Sequence, residues 1–356
     1  MLGLIVAFLT SFFATLFIIR FKHLHQHISA DSDLSGPQKF HKVAVPRIGG
    51  ISIACGLFAA VLTKTISLDP GHQGVILLMC AIPTFAIGLT EDLSKNISVK
   101  QRLLFTAISA ACVMYSLNIQ ITSFDIALMD FLFAIPFFGM GLTIVAMTGL
   151  ANAYNIIDGF NGLSSMVGTI TLLALAYVAY LLGDITIIFL SLVMAGAILG
   201  FFIWNYPQGL IFLGDGGAYL IGFWIGALSI WLCFAHREVS PWFALLINDY
   251  PIVETLFTIY RRRIHQNSNP GAPDGIHFHT LIYRRILQAK HFDSTLSANA
   301  RTAPYLWILT GLSIAPAVLW WQSTPILMGA CALFVISYVW LYSKIVRFKT
   351  PSWMHL

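Results

Sequence analysis

Charge is what this sequence has least of. Only 10% of its 356 residues are Asp, Glu, Lys or Arg, while 58% are hydrophobic. A soluble chain carries roughly 25% charged residues, so a water-covered globular surface is excluded. Cysteine is sparse as well. The five thiols, Cys55, Cys80, Cys112, Cys233 and Cys331, fall inside apolar stretches without metal-type spacing, so they read as small core residues. The weak alternation of about 10-residue segments that marks a membrane β-barrel is missing. So are internal repeats, low-complexity tracts and any separate soluble domain. Residues 1–19 lack a basic region before their apolar run and are followed by Arg20 and Lys22, the pattern of a retained first span rather than a cleaved signal.

Apolar runs of membrane length fill the chain, each near the roughly 20 residues that a helical span needs. They predict an all-α polytopic membrane protein, a bundle of ten or eleven transmembrane helices. The spans are 2–19, 48–66, 74–90, 102–120, 129–149, 163–182, 185–204, 210–233, 241–260, 303–321 and 325–343. Residues 1–356 form one integral membrane domain, with 261–302 as its one long loop. With alternating sides, 18 of the 20 Lys and Arg residues fall on one side, leaving only Lys64 and Arg237 opposite. Basic loops stay inside, which places the N-terminus outside, the C-terminus inside, and the basic face in the cytoplasm. The net charge of +5 is therefore topological and does not point to nucleic acid.

The polar motifs share that side. Each of the five inner links carries one: HKVAVPRIGG (41–50), GLTEDLSK (88–95), NAYNIIDGFNGL (152–163), LGDGGAY (213–219) and PDGIHFHTLIYRR (273–285). The outer links are short and plain. Glu91 and Asp92 at a helix end supply carboxylate oxygens for a hard cation, or an ordinary helix end. Asp215 among glycines lets backbone approach a phosphate at a helix start, or is simply an N-cap. Asn152, Asn155, Asp158 and Asn161 exceed what a turn requires, and Asn155 and Asp158 share a face if helical. His41, Lys42 and Arg47 offer phosphate partners or follow from topology alone. His23, His25 and His27 read as a solvated loop. His277, His279, Arg284 and Arg285 form either a phosphate-binding arm or a basic segment meeting anionic lipid. Asp249 and Glu254 lie within the ninth span, where acids are costly and are functional or paired, and Pro251 breaks the helix nearby.

The order PRIGG, EDLSK, NAYNIIDGFNGL, IFLGDGGAYLIGF and GIHFHTLIYRR resembles the polyprenyl-phosphate N-acetylhexosamine-1-phosphate transferases. The likeness runs from about residue 38 to 290. It implies an inner-membrane enzyme of bacteria, with its active site facing the cytoplasm, that starts O-antigen or another surface polysaccharide. The implied reaction joins a UDP-N-acetylhexosamine to undecaprenyl phosphate and releases UMP, with Mg²⁺ (or Mn²⁺) as cofactor. By that resemblance Asp215 is a metal ligand, with Asp92 beside it. Glu91 and Asp92 form the acidic pair that places the metal or deprotonates the lipid phosphate. Asn152, Asn155 and Asp158 serve the nucleotide and metal side. Phe212 stacks on uracil, Lys42 and Arg47 contact lipid phosphate or the acidic pair, and His277 and His279 lie near the sugar or diphosphate; from its own chemistry Arg284 is a further phosphate partner. Relatives suggest a homodimer.

The sequence departs from the family in three places. Glu91 stands where the first acid is usually Asp, Phe278 interrupts a histidine run that is usually richer, and Glu254 replaces a common Asp. The short histidine run favours the polysaccharide branch over the sister phospho-N-acetylmuramoyl-pentapeptide transferases of peptidoglycan synthesis. A transporter or lipid-binding scaffold is the non-enzymatic alternative. It would place polar residues near mid-membrane and on both faces.

Overall fold

A computed structural model describes residues 2–29, 45–66, 72–265, 274–287, 295–351 and 354. Among these the regular elements are helices: α1 Leu2–Arg20, α2 Lys22–Ser29, α3 Gly49–Ile66, α4 His72–Ser94, α5 Val99–Leu117, α6 Ala127–Asp130, α7 Phe138–Ile157, α8 Leu163–Leu181, α9 Ile185–Asn205, α10 Gly214–Ala235, α11 Pro241–Leu246, α12 Asp249–Tyr260, α13 Phe278–Ile282, α14 Thr295–Leu319 and α15 Thr324–Val346. Eight of them (α1, α4, α7–α10, α14 and α15) are long and apolar enough to cross a membrane. The protein is a multi-pass membrane protein.

The helices sort by burial. Every residue of α10 from Gly214 to Leu232 is buried, the pattern of a central helix that is apolar on all sides. It packs against α3, α4, α7 and α8, and Trp224 donates its indole N–H to the Leu190 carbonyl of α9 at 3.1 Å. In α1 only the small residues Gly3, Ala7, Ser11 and Thr15 are buried, a seam against α9 and α3. Its Leu2, Ile5, Leu9, Phe13 and Phe17 are exposed, as suits a lipid-facing side.

Several boundaries differ from the sequence expectation, each for a local reason. The fifth span starts at Phe138, after a short helical turn that ends before Pro136, and runs on to Ile157. Asn152 and Asn155 therefore lie on the last turns of α7 rather than in a link. The ninth span is two helices, α11 and α12, separated at Ile247–Asn248, with Pro251 in the first turn of α12 where its missing N–H costs nothing. The final stretch of the long loop is helical, because α14 begins at Thr295. The opening of α5 is fixed by a capping box. Ser98 Oγ accepts from the Gln101 N–H, and Gln101 Oε1 accepts from the Ser98 N–H.

Candidate active site

The three glycines around Asp215 have a structural task before any chemical one. Gly214 adopts φ +78°, and a Cβ there would run into the Arg47 carbonyl and the Asp92 carboxylate. Only glycine lets the chain turn into α10 at this closeness. The same end is stitched by backbone: the Gly49 and Gly50 N–H groups donate to the Phe212 and Leu213 carbonyls at 2.9 Å, and the Phe212 N–H donates to Pro46 O at 2.9 Å. This places Arg47, just ahead of α3, beside the first turn of α10.

Asp92 then completes α10 from another helix. Leu213 at the N-cap position offers no side-chain cap. In its place Asp92 Oδ1 accepts the Asp215 N–H at 2.8 Å and Oδ2 accepts the Gly216 N–H at 2.9 Å. A carboxylate on two free amides at a helix start is stabilised both by hydrogen bonding and by the helix dipole. Arg47 Nε lies 3.4 Å from the same carboxylate.

Asp215 is 2% exposed and faces two guanidinium groups. Arg47 donates to Oδ1, and Arg102 Nη1 donates to Oδ2 at 2.5 Å. Arg102, one of the 18 basic residues that the sequence places on the inner side, is brought into the site by the structure. The available signal was an arginine in the first turn of an apolar helix. Tyr219, one turn further along α10, donates to Asn152 Oδ1 at 3.3 Å and ties α7 to the cluster.

Asp158 follows α7 as its C-cap. Burial pushes its carboxyl up to about 7, with Arg47 opposing and Asp215 adding to the rise. It is an acid short of positive charge. Asn155 lies half-buried one turn earlier. Asn161 is used structurally: its N–H donates to Asn299 Oδ1 at 3.1 Å and its Nδ2 to Pro207 O at 3.2 Å.

Glu91 stands apart from its neighbour. Its Oε2 accepts the Ile97 N–H at 2.7 Å and closes the turn between α4 and α5. Phe212 is half-buried, and its backbone joins the two motifs. His41 and Lys42 lie outside the described residues.

The histidine segment packs on the Asp158 loop. His279 is 2% exposed and meets Phe160 edge-on with ring centres 5.6 Å apart, and a Cβ on Gly159 would lie 2.7 Å from His279 Nε2. Burial, followed by neighbouring His277, lowers the His279 pKa to about 3 against the pull of Glu254 and Asp274, so this imidazole is neutral. Its Nδ1 is buried without a protein partner among the described residues. Arg284 lies in the turn after α13, and Arg285 covers the Phe348 ring at 3.5 Å.

The site thus joins the ends of α3, α4, α5, α7 and α10, with α13 laid against the loop after α7. It concentrates carboxylates and guanidinium groups where membrane helices terminate, an arrangement suited to phosphates. Comparison with known proteins agrees. The profile described as Glycosyl transferase family 4 matches residues 74–233. A probable undecaprenyl-phosphate N-acetylglucosaminyl 1-phosphate transferase of Bacillus subtilis is 30% identical over 284 residues, 78% of this chain and 77% of that protein. The Thermotoga maritima undecaprenyl-phosphate alpha-N-acetylglucosaminyl 1-phosphate transferase is 28% identical over 254 residues, 71% and 73% of the two chains. A phospho-N-acetylmuramoyl-pentapeptide-transferase of Streptococcus pyogenes is 24% identical over 267 residues, covering 72% and 77%. These relatives are enzymes, which sets aside the transporter and scaffold alternative. With its motif order, membrane bundle and charged helix-end cluster, the chain belongs to glycosyl transferase family 4 and is a transferase of the glycosyl-1-phosphate class.

Proposed function

We propose that the protein transfers N-acetylhexosamine-1-phosphate from a UDP-sugar to undecaprenyl phosphate at the cytoplasmic face of a bacterial inner membrane. The reaction would begin O-antigen or another surface polysaccharide. The carrying observation is the Asp215 cluster: a buried acid gripped by Arg47 and Arg102, braced by Asp92, with Asp158 nearby. The basic-loop asymmetry of the sequence supports the cytoplasmic side.

In this reading an oxygen of the lipid phosphate bonds to the sugar-linked phosphorus. The bond from that phosphorus to the bridging oxygen breaks, and its electron pair leaves on UMP. The protein's task is to position two anions and absorb their charge. Arg47 and Arg102 are placed for this, since each can exchange an aspartate oxygen for a phosphate oxygen. Asp92, with both oxygens on backbone amides, keeps Asp215 aimed. The His279 imidazole is neutral, and its buried Nδ1 has no protein partner among the described residues.

The residues also suit Mg²⁺. The donor set is carboxylate oxygen, which hard cations select, and the raised Asp158 pKa marks a carboxylate that gains from a cation. Asp215 and Asp158 would hold the ion. It would supply neutralisation of diphosphate charge. Glu91, committed to the Ile97 amide, is assigned here to the loop and not to proton transfer.

The test is UMP release by purified protein in detergent with undecaprenyl phosphate and a panel of UDP-N-acetylhexosamines, with UDP-N-acetylmuramoyl-pentapeptide included. Release with one N-acetylhexosamine, abolished by omitting lipid or adding chelator, is expected. Release only with the pentapeptide donor moves the protein to the peptidoglycan branch. No release with any donor from folded protein overturns the proposal.

A further inference from the structure

Outside the charged cluster, Glu254 is a buried acid with both carboxylate oxygens paired. It lies on α12 with 0% exposure. An ionised carboxylate buried this deeply survives only if it is fully paired. Glu254 is: Oε1 accepts from His277 Nδ1 at 2.9 Å and from the Phe278 N–H at 3.3 Å, and Oε2 accepts from Tyr338 Oη at 2.9 Å. These contacts fasten the start of α13 to α12 and α15.

They also decide how His277 is held. Its Nδ1 is committed to Glu254, with Thr258 Oγ1 at 3.3 Å sharing that side. Its Nε2 lies 3.9 Å from Asp274 Oδ2, and Asp274 is itself paired with Arg261. The His277 ring stacks on His279 at 5.1 Å and 18°, and His279 presses on Gly159, next to Asp158. A continuous line of contacts therefore runs from Glu254 to the loop that carries Asp158. A carboxylate behind an imidazole fixes the ring's plane and tautomer, and removing it disables the imidazole without disturbing the rest of the fold.

We propose that Glu254 is a positioning residue for the transfer, holding His277 by Nδ1 and, through the ring stack, seating His279 against the Asp158 loop. The inference rests on the transferase reading above. The groups that set the electrostatics of His277 are Glu254 from α12, Asp274 from the preceding segment with its partner Arg261, and His279 from α13; Tyr338 of α15 acts through Glu254.

The experiment compares Glu254→Gln with wild type in UMP release and in diethyl pyrocarbonate labelling of His277, followed by peptide mass spectrometry with exposed His23 as internal standard. Gln keeps the volume and an acceptor oxygen but removes the charge. The expected result is a kcat loss of roughly 10²-fold with KM changed less than about threefold. This is smaller than the ~10⁴-fold seen for a triad aspartate, because Asp274 remains beside the ring. His277 labels several-fold faster while His23 is unchanged. Glu254→Asp, which restores the charge, recovers most of the loss. In a double-mutant cycle with His277→Asn, the Glu254→Gln change costs little once His277 is gone.

If Glu254→Gln does not fold, Glu254→Met fills the same volume without a charge, and the same two readouts apply. A folded variant with wild-type kcat and wild-type labelling overturns the proposal, as does a loss confined to KM or full additivity in the cycle. If wild type itself releases no UMP, the transferase reading fails alone; faster His277 labelling in the variant would still establish the positioning contact.

Discussion

Two buried acids, Asp92 and Glu254, each use both carboxylate oxygens, yet they are held in opposite ways. Asp92 is gripped by the backbone amides of Asp215 and Gly216, on a helix packed against glycines. Glu254 is gripped mainly by side chains, His277 and Tyr338, and by one amide. The first arrangement fixes where a helix begins, and so where Asp215 points. The second fixes how an imidazole is oriented. Backbone contacts give a rigid frame that side-chain replacement nearby cannot repair. Side-chain contacts give an orientation that a conservative variant can restore.

The sharpest way to probe that contrast is to leave the frame and remove the charge it aims. Asp215→Asn retains the size and an acceptor but removes the charge that Arg47 and Arg102 share, leaving Arg47 only Asp92. UMP release should fall by about 10³-fold, the scale of losing a preorganised electrostatic group, while size-exclusion profiles stay as wild type. Gly88→Ala attacks the frame itself. A Cβ there would sit 2.7 Å from Gly216 Cα and N, backbone atoms that cannot step aside without moving α10. Turnover and unfolding temperature in detergent should drop together. Gly311→Ala, with nothing within 4 Å, should leave turnover unchanged.

Asp92→Asn is next in size. One amide oxygen can serve only one of the two N–H groups, and leaving a buried donor unpaired costs about 1–3 kcal/mol. A lower unfolding temperature, with loss of activity, is expected; unchanged stability would refute the capping role.

Asp158 supplies a pH-dependent effect. Its carboxyl titrates at about 7 in the folded protein, against about 4 when exposed. The folded state therefore holds a proton that the unfolded state has lost between those values, and stability falls as pH rises from about 4 to 7. Asp158→Asn removes that fall, so in unfolding scans without divalent cation the variant should gain on wild type across this window. Added Mg²⁺ should raise the wild-type unfolding temperature more than that of the variant. The smallest effect is assigned to Glu91→Gln, which keeps an oxygen for the Ile97 amide. Turnover within about threefold of wild type is expected, and a loss near 10²-fold would return Glu91 to the chemistry.

Much of this was legible in the chain. Apolar length announced the helices, and the distribution of arginine and lysine separated the motif-bearing links from the plain ones. The residues of NAYNIIDG, LGDGG and EDLSK are those found clustered at helix ends. What could not be read was the partner of each group. Asp92 and Asp215 are 123 positions apart and Arg102 and Asp215 113 apart, and no local periodicity encodes such pairings. For the same reason Glu91 and Asp92, neighbours in sequence, separate into a loop clasp and a helix cap, and Arg102 looked like a charge for topology alone.

Composition by itself determined that the protein is a helical membrane protein, because chemistry with so little charge and such long apolar runs has few other stable forms in water or lipid. Motif content determined the family. Only the tertiary structure decided where α7 ends, where the ninth span breaks, which oxygens are already occupied, and which histidine is held from behind. Those depend on distances between helices, and interhelical distance is set by packing, to which residues far apart in the chain contribute together.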